Sequence, residues 1–561
     1  MAKAWRGNST NYPRVITLRA IADLKLDRNK MYYVIGSGPA GIGAALALVE
    51  KKIPVTILDT GEDLEPDRKV LIEKMSKVAP EDWLQDDIQS LKAGVASSIK
   101  GVSRKLAYGS DYPYRKPDYF ETSSASNAEL WSSFAKGGLT NIWGASMLPY
   151  HGRDLKDWPI SVENLEPFYK KILSWVPMAA VEDRFMEDYP LYSKPNESLN
   201  LSNQAHQWLK ELLVNESALS RAGFLFGRSR LAVTVGSSGR EDGIGCQYCG
   251  LCHYGCPYEA IYKTASTLDK IKKEKMVTYI DGLVVESLLE KNGKVIIEAK
   301  TRKDNEKRVF FAEKVFLGAG VLPTTQIMLA STQAYDEPVF ISDSQHFILP
   351  LIRYKQTKGV DREKLLTLSQ LFFRVFDKSR DDYSMLLQAY TYMDFFPETL
   401  SKLFGPLAPL AQPLFPLILG RLIVMQGYLH SDVSGKIRLT LNRSVNDGPG
   451  RLVLKNVESP SATKFIRKQN RILLQNHRNL RAFPLLFLIR KSKIGQGNHY
   501  GGTFPMKKIP KRLESDLLGR VKGWKQVHIV DSSTFPSIPP GPIVLTIMAN
   551  AYRITQASTL E

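Results

Sequence analysis

Cysteine is almost missing from this 561-residue chain. There are four, and all four fall within "GCQYCGLCHYGCPYEA", residues 245–260. Acidic residues are absent over a different stretch: from Ser459 to Leu513 there are thirteen Lys or Arg and no Asp or Glu. The opening residues, "MAKAWRGNSTNYPRV", lack the apolar core of a secretory signal and carry no twin-arginine motif. No long stretch has a disordered composition, and no repeat is visible. Each absence excludes something. Without an export signal the expected setting is the cytoplasm, where thiols stay reduced, so two disulfides inside one short loop are not expected. Without low-complexity sequence the chain reads as globular, with two or three intimately joined domains at this length. The acid-free basic block, in a chain of net charge +19, calls for an anionic partner or is simply a solvated surface. No nucleic-acid recognition motif accompanies the charge, so nucleic acid is not expected.

What is present begins at residue 31, "MYYVIGSGPAGIGAALALVEKKIPVTILDTG". A short apolar run fit for a buried parallel strand leads into Gly36-Ser37-Gly38 and Gly41. A helix of small residues and a second strand follow, ending at Asp59, 23 residues beyond Gly36. Gly36 permits a tight turn, Gly38 lets the backbone approach a pyrophosphate, and Gly41 lets helix and strand pack closely. The helix N-terminus offers N–H groups to phosphates. Asp59 can accept from ribose hydroxyls. The unit predicts a doubly wound, Rossmann-type α/β domain that binds a dinucleotide.

Four later stretches, in order, carry a resemblance: "AKGGLTNIWGASMLPYHGRDLKDWPISVENLEPFYKKI" from Ala135, "VFLGAGVLPTTQIMLAS" from Val315, "NHYGGTFPM" from Asn498 and "VHIVDSSTFPSIPPGPIVLTIMANAYRI" from Val527. Together with the front unit the chain resembles the glucose–methanol–choline (GMC) oxidoreductases. The likeness covers both ends and islands between, but not residues 331–426. It implies FAD, bound by a domain assembled from discontinuous segments, and a second α+β domain with an antiparallel sheet over the flavin. The expected segments are 1–150, 231–330 and 498–561 for FAD binding, and 151–230 and 331–497 for the substrate cover. The resemblance places Gly137, Gly138, Thr140, Asn141 and Gly144 around the isoalloxazine and pyrophosphate, and Val285 by the adenine. Ala319 and Gly320 would close the second crossover, and Asp531 and Ser532 would reach the pyrophosphate or ribityl chain. His499 matches the family's catalytic histidine, a group able to take a hydroxyl proton near neutrality. The chain departs from the pattern at Pro542, where the family places a second His or Asn. Asn498 and Asn550 are the candidates to replace it.

Cys246, Cys249, Cys252 and Cys256 have the spacing C-x2-C-x2-C-x3-C-P, that of a ferredoxin-type iron–sulfur run. Four-cysteine zinc sites more often split two pairs by many residues. The expectation is a 4Fe-4S or 3Fe-4S cluster, with zinc or a metal-free reduced loop as alternatives. GMC dehydrogenases that feed a cytochrome also carry a cysteine-rich segment here, which implies a dehydrogenase with a protein or quinone acceptor.

The unmatched middle holds "LFGPLAPLAQPLFPLILGRLIVM", Leu403 to Met425, with no acid and one charge. Its repeated prolines disfavour a membrane span. A monotopic loop dipping into lipid, or a piece packed against another surface, fits better. Phe465, Ile466, Ile472, Leu473 and Leu480 fall on one face of a basic helix nearby, a pattern drawn to anionic membrane. The leading expectation is a peripheral FAD dehydrogenase on the inner face of the membrane, acting on a hydroxyl of a sugar-like or lipid-linked substrate. A reductase, an isomerase and an electron-relay subunit are the alternatives.

Overall fold

The computed structural model describes residues 31–94, 105–117, 120, 122–124, 128, 130–194, 197–236, 245–377, 383–443 and 450–560. The opening residues 1–30, whose composition suggested no export signal, lie outside them.

The front of the chain folds as its pattern dictates. Tyr32–Ile35 (β1) and Val55–Leu58 (β2) pair in parallel on either side of Pro39–Glu50 (α1). Two strands from mid-chain, Val277–Ile280 (β3) and Lys314–Leu317 (β4), extend the sheet, and Val527–Ile529 completes it from the far end of the sequence. The order is C-terminal strand, β4, β1, β2, β3, all parallel. The helix Val321–Ser331 (α2) leaves β4. The C-terminal helix Val544–Ser558 packs on α1 so closely that a Cβ on Gly43 would lie 2.5 Å from the Met548 carbonyl oxygen. Small residues on α1 permit this, because every side chain from Ala40 to Leu48 is buried.

A second, seven-stranded antiparallel sheet has at its centre His346–Arg353 (β5), Met385–Tyr390 (β6) and Leu422–Tyr428 (β7), with β7 between the other two. Strand periodicity sorts its two faces. Phe347, Leu349, Leu351, Leu387, Ala389, Ile423 and Met425 point into one core with Trp208 and Phe373. His346, Gln388, Tyr390, Gln426 and Tyr428 point the other way, into a cavity. A five-stranded mixed sheet and a three-stranded antiparallel sheet, Leu283–Lys291 with Lys294–Thr301 and Lys307–Ala312, complete the strands. The α/β class with a doubly wound parallel sheet and an antiparallel second sheet is therefore the observed fold.

Two apolar elements take a definite form, the first as its prolines suggest and the second against expectation. The apolar run at Leu403 is not one unit: it forms short helices, Phe396–Phe404 (α3), Ala408–Ala411 (α4) and Phe415–Leu419 (α5), and then enters β7. The basic helix Pro460–Gln475 (α6) turns Phe465, Ile466 and Leu473 into the core of the antiparallel sheet. Its apolar face is satisfied by protein, so only its charged face remains for any other surface.

Candidate active site

The two sheets enclose a cavity of about 360 Å³. Its floor is the front motif. Gly36 takes φ +96°, and a Cβ there would lie 2.6 Å from the Gly318 carbonyl oxygen, so the turn admits only glycine. The first turn of α1 has no side-chain cap, which leaves its N–H groups free at the cavity edge. Asp59 is buried at the end of β2 and accepts from Ser37 Oγ and, at 3.1 Å, from the Tyr279 hydroxyl. Burial, with no cation to offset it, raises its pKa to about 6. This combination of a tight glycine turn, an uncapped helix start and a buried carboxylate suits a dinucleotide, and FAD fits the residues present.

The cavity is lined by Gly36, Ser37, Gly38, Asp59, Gly138, Thr140, Gly144, Ala319, Gly320, Asn498, His499, Asp531 and Ser532. Gly41, Gly137 and Asn141 sit behind that lining. The Gly137 amide donates to Ser37 Oγ at 2.9 Å, and Asn141 Nδ2 donates to the carbonyls of Lys136 and Gly138. Val285 lies in a neighbouring hydrophobic core rather than on the cavity wall. Asp531 faces the cavity, but its carboxylate is engaged. It accepts from the Gly320 amide at 2.9 Å and Thr324 Oγ1 at 2.5 Å, closing the start of α2.

Opposite the floor stands His499. Asn498, just before it, adopts left-handed backbone at φ +58°. The His499 carbonyl accepts from the Ser344 amide at 2.9 Å, which pins the loop beside β5. Its ring stacks on Tyr428, with centroids 4.7 Å apart and planes at 26°. Nδ1 is buried without a partner, and Nε2 is the nitrogen left to the cavity. Burial drives its pKa down to about 3, with a smaller push from His346, so the imidazole is neutral at physiological pH.

His346 is the residue that the sequence reading missed. It pairs in register with Tyr428, its ring lies 5.2 Å from that of Tyr428, and it lines the same cavity. Neither ring nitrogen has a hydrogen-bond partner. Burial lowers its pKa to about 4. Of the replacements considered for the position held by Pro542, Asn498 is at the cavity. Asn550 is not: its side-chain oxygen accepts from Arg553 at 2.8 and 3.0 Å inside the C-terminal helix packing. The sequence signal for His346 was a polar residue heading a strand that is apolar until its final Arg353.

The cysteine loop borders the cavity through His253. Cys252 and Cys256 are buried, Cys246 and Cys249 half-buried, and all four are free thiols. Burial raises each thiol pKa, and for Cys246, Cys249 and Cys256 the neighbouring thiols add to the rise, so the four lie within electrostatic reach of one another. Yet among the described residues no three His, Cys, Asp or Glu side chains are grouped to hold a metal ion. The geometry does not close the ligand set that the spacing suggests.

Residues 461–551 match the family model described as GMC oxidoreductase. A solved structure of pyridoxine 4-oxidase from Mesorbium loti shares the fold: the TM-score is 0.59 at 14% identity, covering 95% of this chain and 100% of that one. No protein of curated function matches the chain by sequence. Residues 461–551 are thus similar to a segment of the GMC oxidoreductases, and the chain shares its fold with that oxidase.

Proposed function

We propose that the chain oxidises a hydroxyl group of a sugar-like or lipid-linked small molecule and passes the electrons to a protein or quinone acceptor at the inner face of a membrane. The observation that carries the oxidation is the convergence of His499, His346 and Tyr428 on one cavity whose floor is the dinucleotide motif. The front turn, the Gly137–Gly144 segment, Ala319–Gly320 and Asp531–Ser532 would hold FAD, which supplies a two-electron acceptor when bound. Residues 1–150, 231–330 and 498–561 are the segments that would form the flavin-binding body, with 151–230 and 331–497 as its cover.

The chain's own part is proton handling and orientation. Neutral His499 takes the substrate hydroxyl proton at Nε2, because an alcohol carbon gives up hydride only as its O–H proton leaves. His346 supplies the second imidazole that Pro542 cannot. Leaving its two buried nitrogens unbonded costs about 1–3 kcal/mol, a cost that a bound hydroxyl relieves. Gln388 and Gln426, paired across β6 and β7, add amides suited to further hydroxyls. Such a wall favours a polyhydroxylated substrate over a plain alkanol.

Anaerobic stopped-flow bleaching of the flavin by sugars and sugar alcohols tests the reading. His499→Ala should slow bleaching by about 10²–10⁴-fold. His346→Gln should slow it by about ten- to a hundredfold. A His499→Ala enzyme reduced at the normal rate removes the histidine from the reaction. A native enzyme that no hydroxyl compound bleaches leaves only the reductase, isomerase or relay alternatives.

An iron–sulfur cluster on Cys246, Cys249, Cys252 and Cys256 is supported by their spacing and proximity, and opposed by side chains that do not close on one centre. Protein purified without oxygen should contain iron and acid-labile sulfide at about three or four per chain if the loop rearranges to hold a cluster. Iron-free protein with four titratable thiols would falsify it and leave a reduced loop beside the cavity.

A further inference from the structure

The segment α3–α5 has two apolar stripes. Phe396, Leu400, Ala411, Phe415 and Leu419 face inward and form a small core with Val360, Tyr390 and Met393. Leu403, Leu407, Leu410, Leu414 and Leu417 recur at helical spacing on the opposite side and are between 41% and 80% exposed. A helical segment on a protein surface ordinarily turns polar residues outward, and one that is apolar all round belongs in a core or in lipid. Phe396–Leu419 is long and apolar enough to cross a membrane by length and composition, with 17% of its most apolar window buried. Two features argue against crossing. Pro406, Pro409, Pro413 and Pro416 remove backbone donors and leave carbonyls that hydrocarbon cannot satisfy. The inward stripe also ties the segment to its domain.

The rim of this platform is basic. Gln356 Nε2 donates to the Pro416 carbonyl at 3.3 Å, and the Thr357 amide to the Gly420 carbonyl at 2.8 Å. These bonds fix the turn that carries exposed Lys355, Lys358 and Arg362 against the platform. Lys355 lies 3.5 Å from Glu211 and Arg362 3.9 Å from Asp361, whereas Lys358 has no ion pair among the described residues. From Thr399 to Met425 there is no acid. The inner wall of the platform is also a cavity wall, because Tyr390, Met393 and Phe395 line the active-site cavity.

We infer that the five-leucine ridge, with Lys355, Lys358 and Arg362 at its edge, seats the enzyme on an anionic bilayer surface and so brings the cavity wall at Met393 and Phe395 to the lipid interface. An interfacial mode agrees with both halves of the geometry: apolar side chains enter the headgroup boundary, and basic side chains meet anionic headgroups. What then enters the cavity, a lipid-linked hydroxyl compound or a quinone, rests on the reading of the cavity given above. The docking itself does not.

The test uses the full-length, FAD-loaded chain and vesicles of phosphatidylglycerol and phosphatidylcholine in about equal parts, sedimented at low salt. Wild-type protein should sediment with them. The combined variant Leu407→Glu, Leu410→Glu, Leu414→Glu should bind at least about tenfold more weakly. Lys355→Glu with Lys358→Glu should weaken binding several-fold, as should raised salt. Unchanged flavin absorbance reports that each variant is folded, and the single change Leu410→Gln serves if the combined variant is not. Wild-type protein left in the supernatant overturns the inference. So does a folded leucine variant that sediments like wild type. A stable dimer that the leucine variant dissociates, with no vesicle binding, overturns it too and assigns the ridge to a second copy. If vesicle binding holds while no hydroxyl compound bleaches the flavin, the docking stands and the proposed reaction falls.

Discussion

Buried imidazoles that stay neutral set how this protein responds to acid. His528 lies off the cavity lining: Nδ1 is 2.8 Å from the Leu518 carbonyl, and the ring stacks on Phe316 at 5.4 Å. Burial lowers its pKa to about 4 from the ordinary 6.5. Between those values the unfolded chain holds a proton that the folded chain refuses, so stability is lost as pH falls through that window. The term is worth about 3 kcal/mol. Asp343 works in the opposite sense. Among the described residues only the Gly495 amide supports its buried carboxylate, at 2.8 Å, and burial raises its pKa to about 7 from 3.8. The folded chain binds that proton first, so stability is gained as pH falls from about 7 toward 4. Asp343→Asn should therefore raise the urea midpoint at pH 8 and lose most of that advantage near pH 5, while His528→Asn should flatten the acid-side loss. An Asp343→Asn midpoint shift equal at both pH values would remove charge as the cause. His499 could be read from sequence because it stands in a recognisable loop motif. His346 could not, because its importance comes from a cross-strand partner, Tyr428, that lies 82 positions later.

At the scale of elements, α1 is the part whose position everything else assumes. A Cβ on Gly41 would lie 1.8 Å from the Gly36 carbonyl oxygen, and one on Gly43 would lie 2.5 Å from that of Met548. The first contact is with the glycine turn and the second with the C-terminal helix. Gly41→Ala should push α1 off the turn, cost about 1–3 kcal/mol and leave purified protein largely without flavin. Gly43→Ala should lower the melting temperature comparably yet keep the flavin-to-protein ratio. Equal flavin loss in both would mean that general loosening, not the turn, governs binding. The strand–helix–strand unit was legible because its glycines, small-residue helix and terminal acid leave few alternatives. Strands β5 to β7 were not, although they carry one wall of the cavity. Buried on both sides, as "LLQAY" in β6 is, a strand shows no alternation of polar and apolar residues to read. The apolar ridge shows a different limit. Its composition was visible, but which leucines face outward depends on how prolines break the helix.

Over the whole molecule, the chain order of the parallel sheet matters more than its shape. Strand β1 is complete by residue 35, but the strand on the far side of its neighbour β4 is supplied only at residue 527, and the helix that covers α1 ends at Ser558. Contacts separated by some five hundred residues are slow to form and close last. On the ribosome, therefore, the nascent chain carries an exposed apolar sheet edge and an uncovered α1 until the closing strand and helix at residues 527–558 have been made. The antiparallel sheet, whose central strands span residues 346 to 428, can assemble earlier. The pocket is finished only when Val527–Ile529 and Val544–Ser558 have been added, which makes these elements a timing device for loading: a chain cut short anywhere between Asp59 and Val527 retains the entire glycine turn and its acid and still has no finished pocket to put a flavin in.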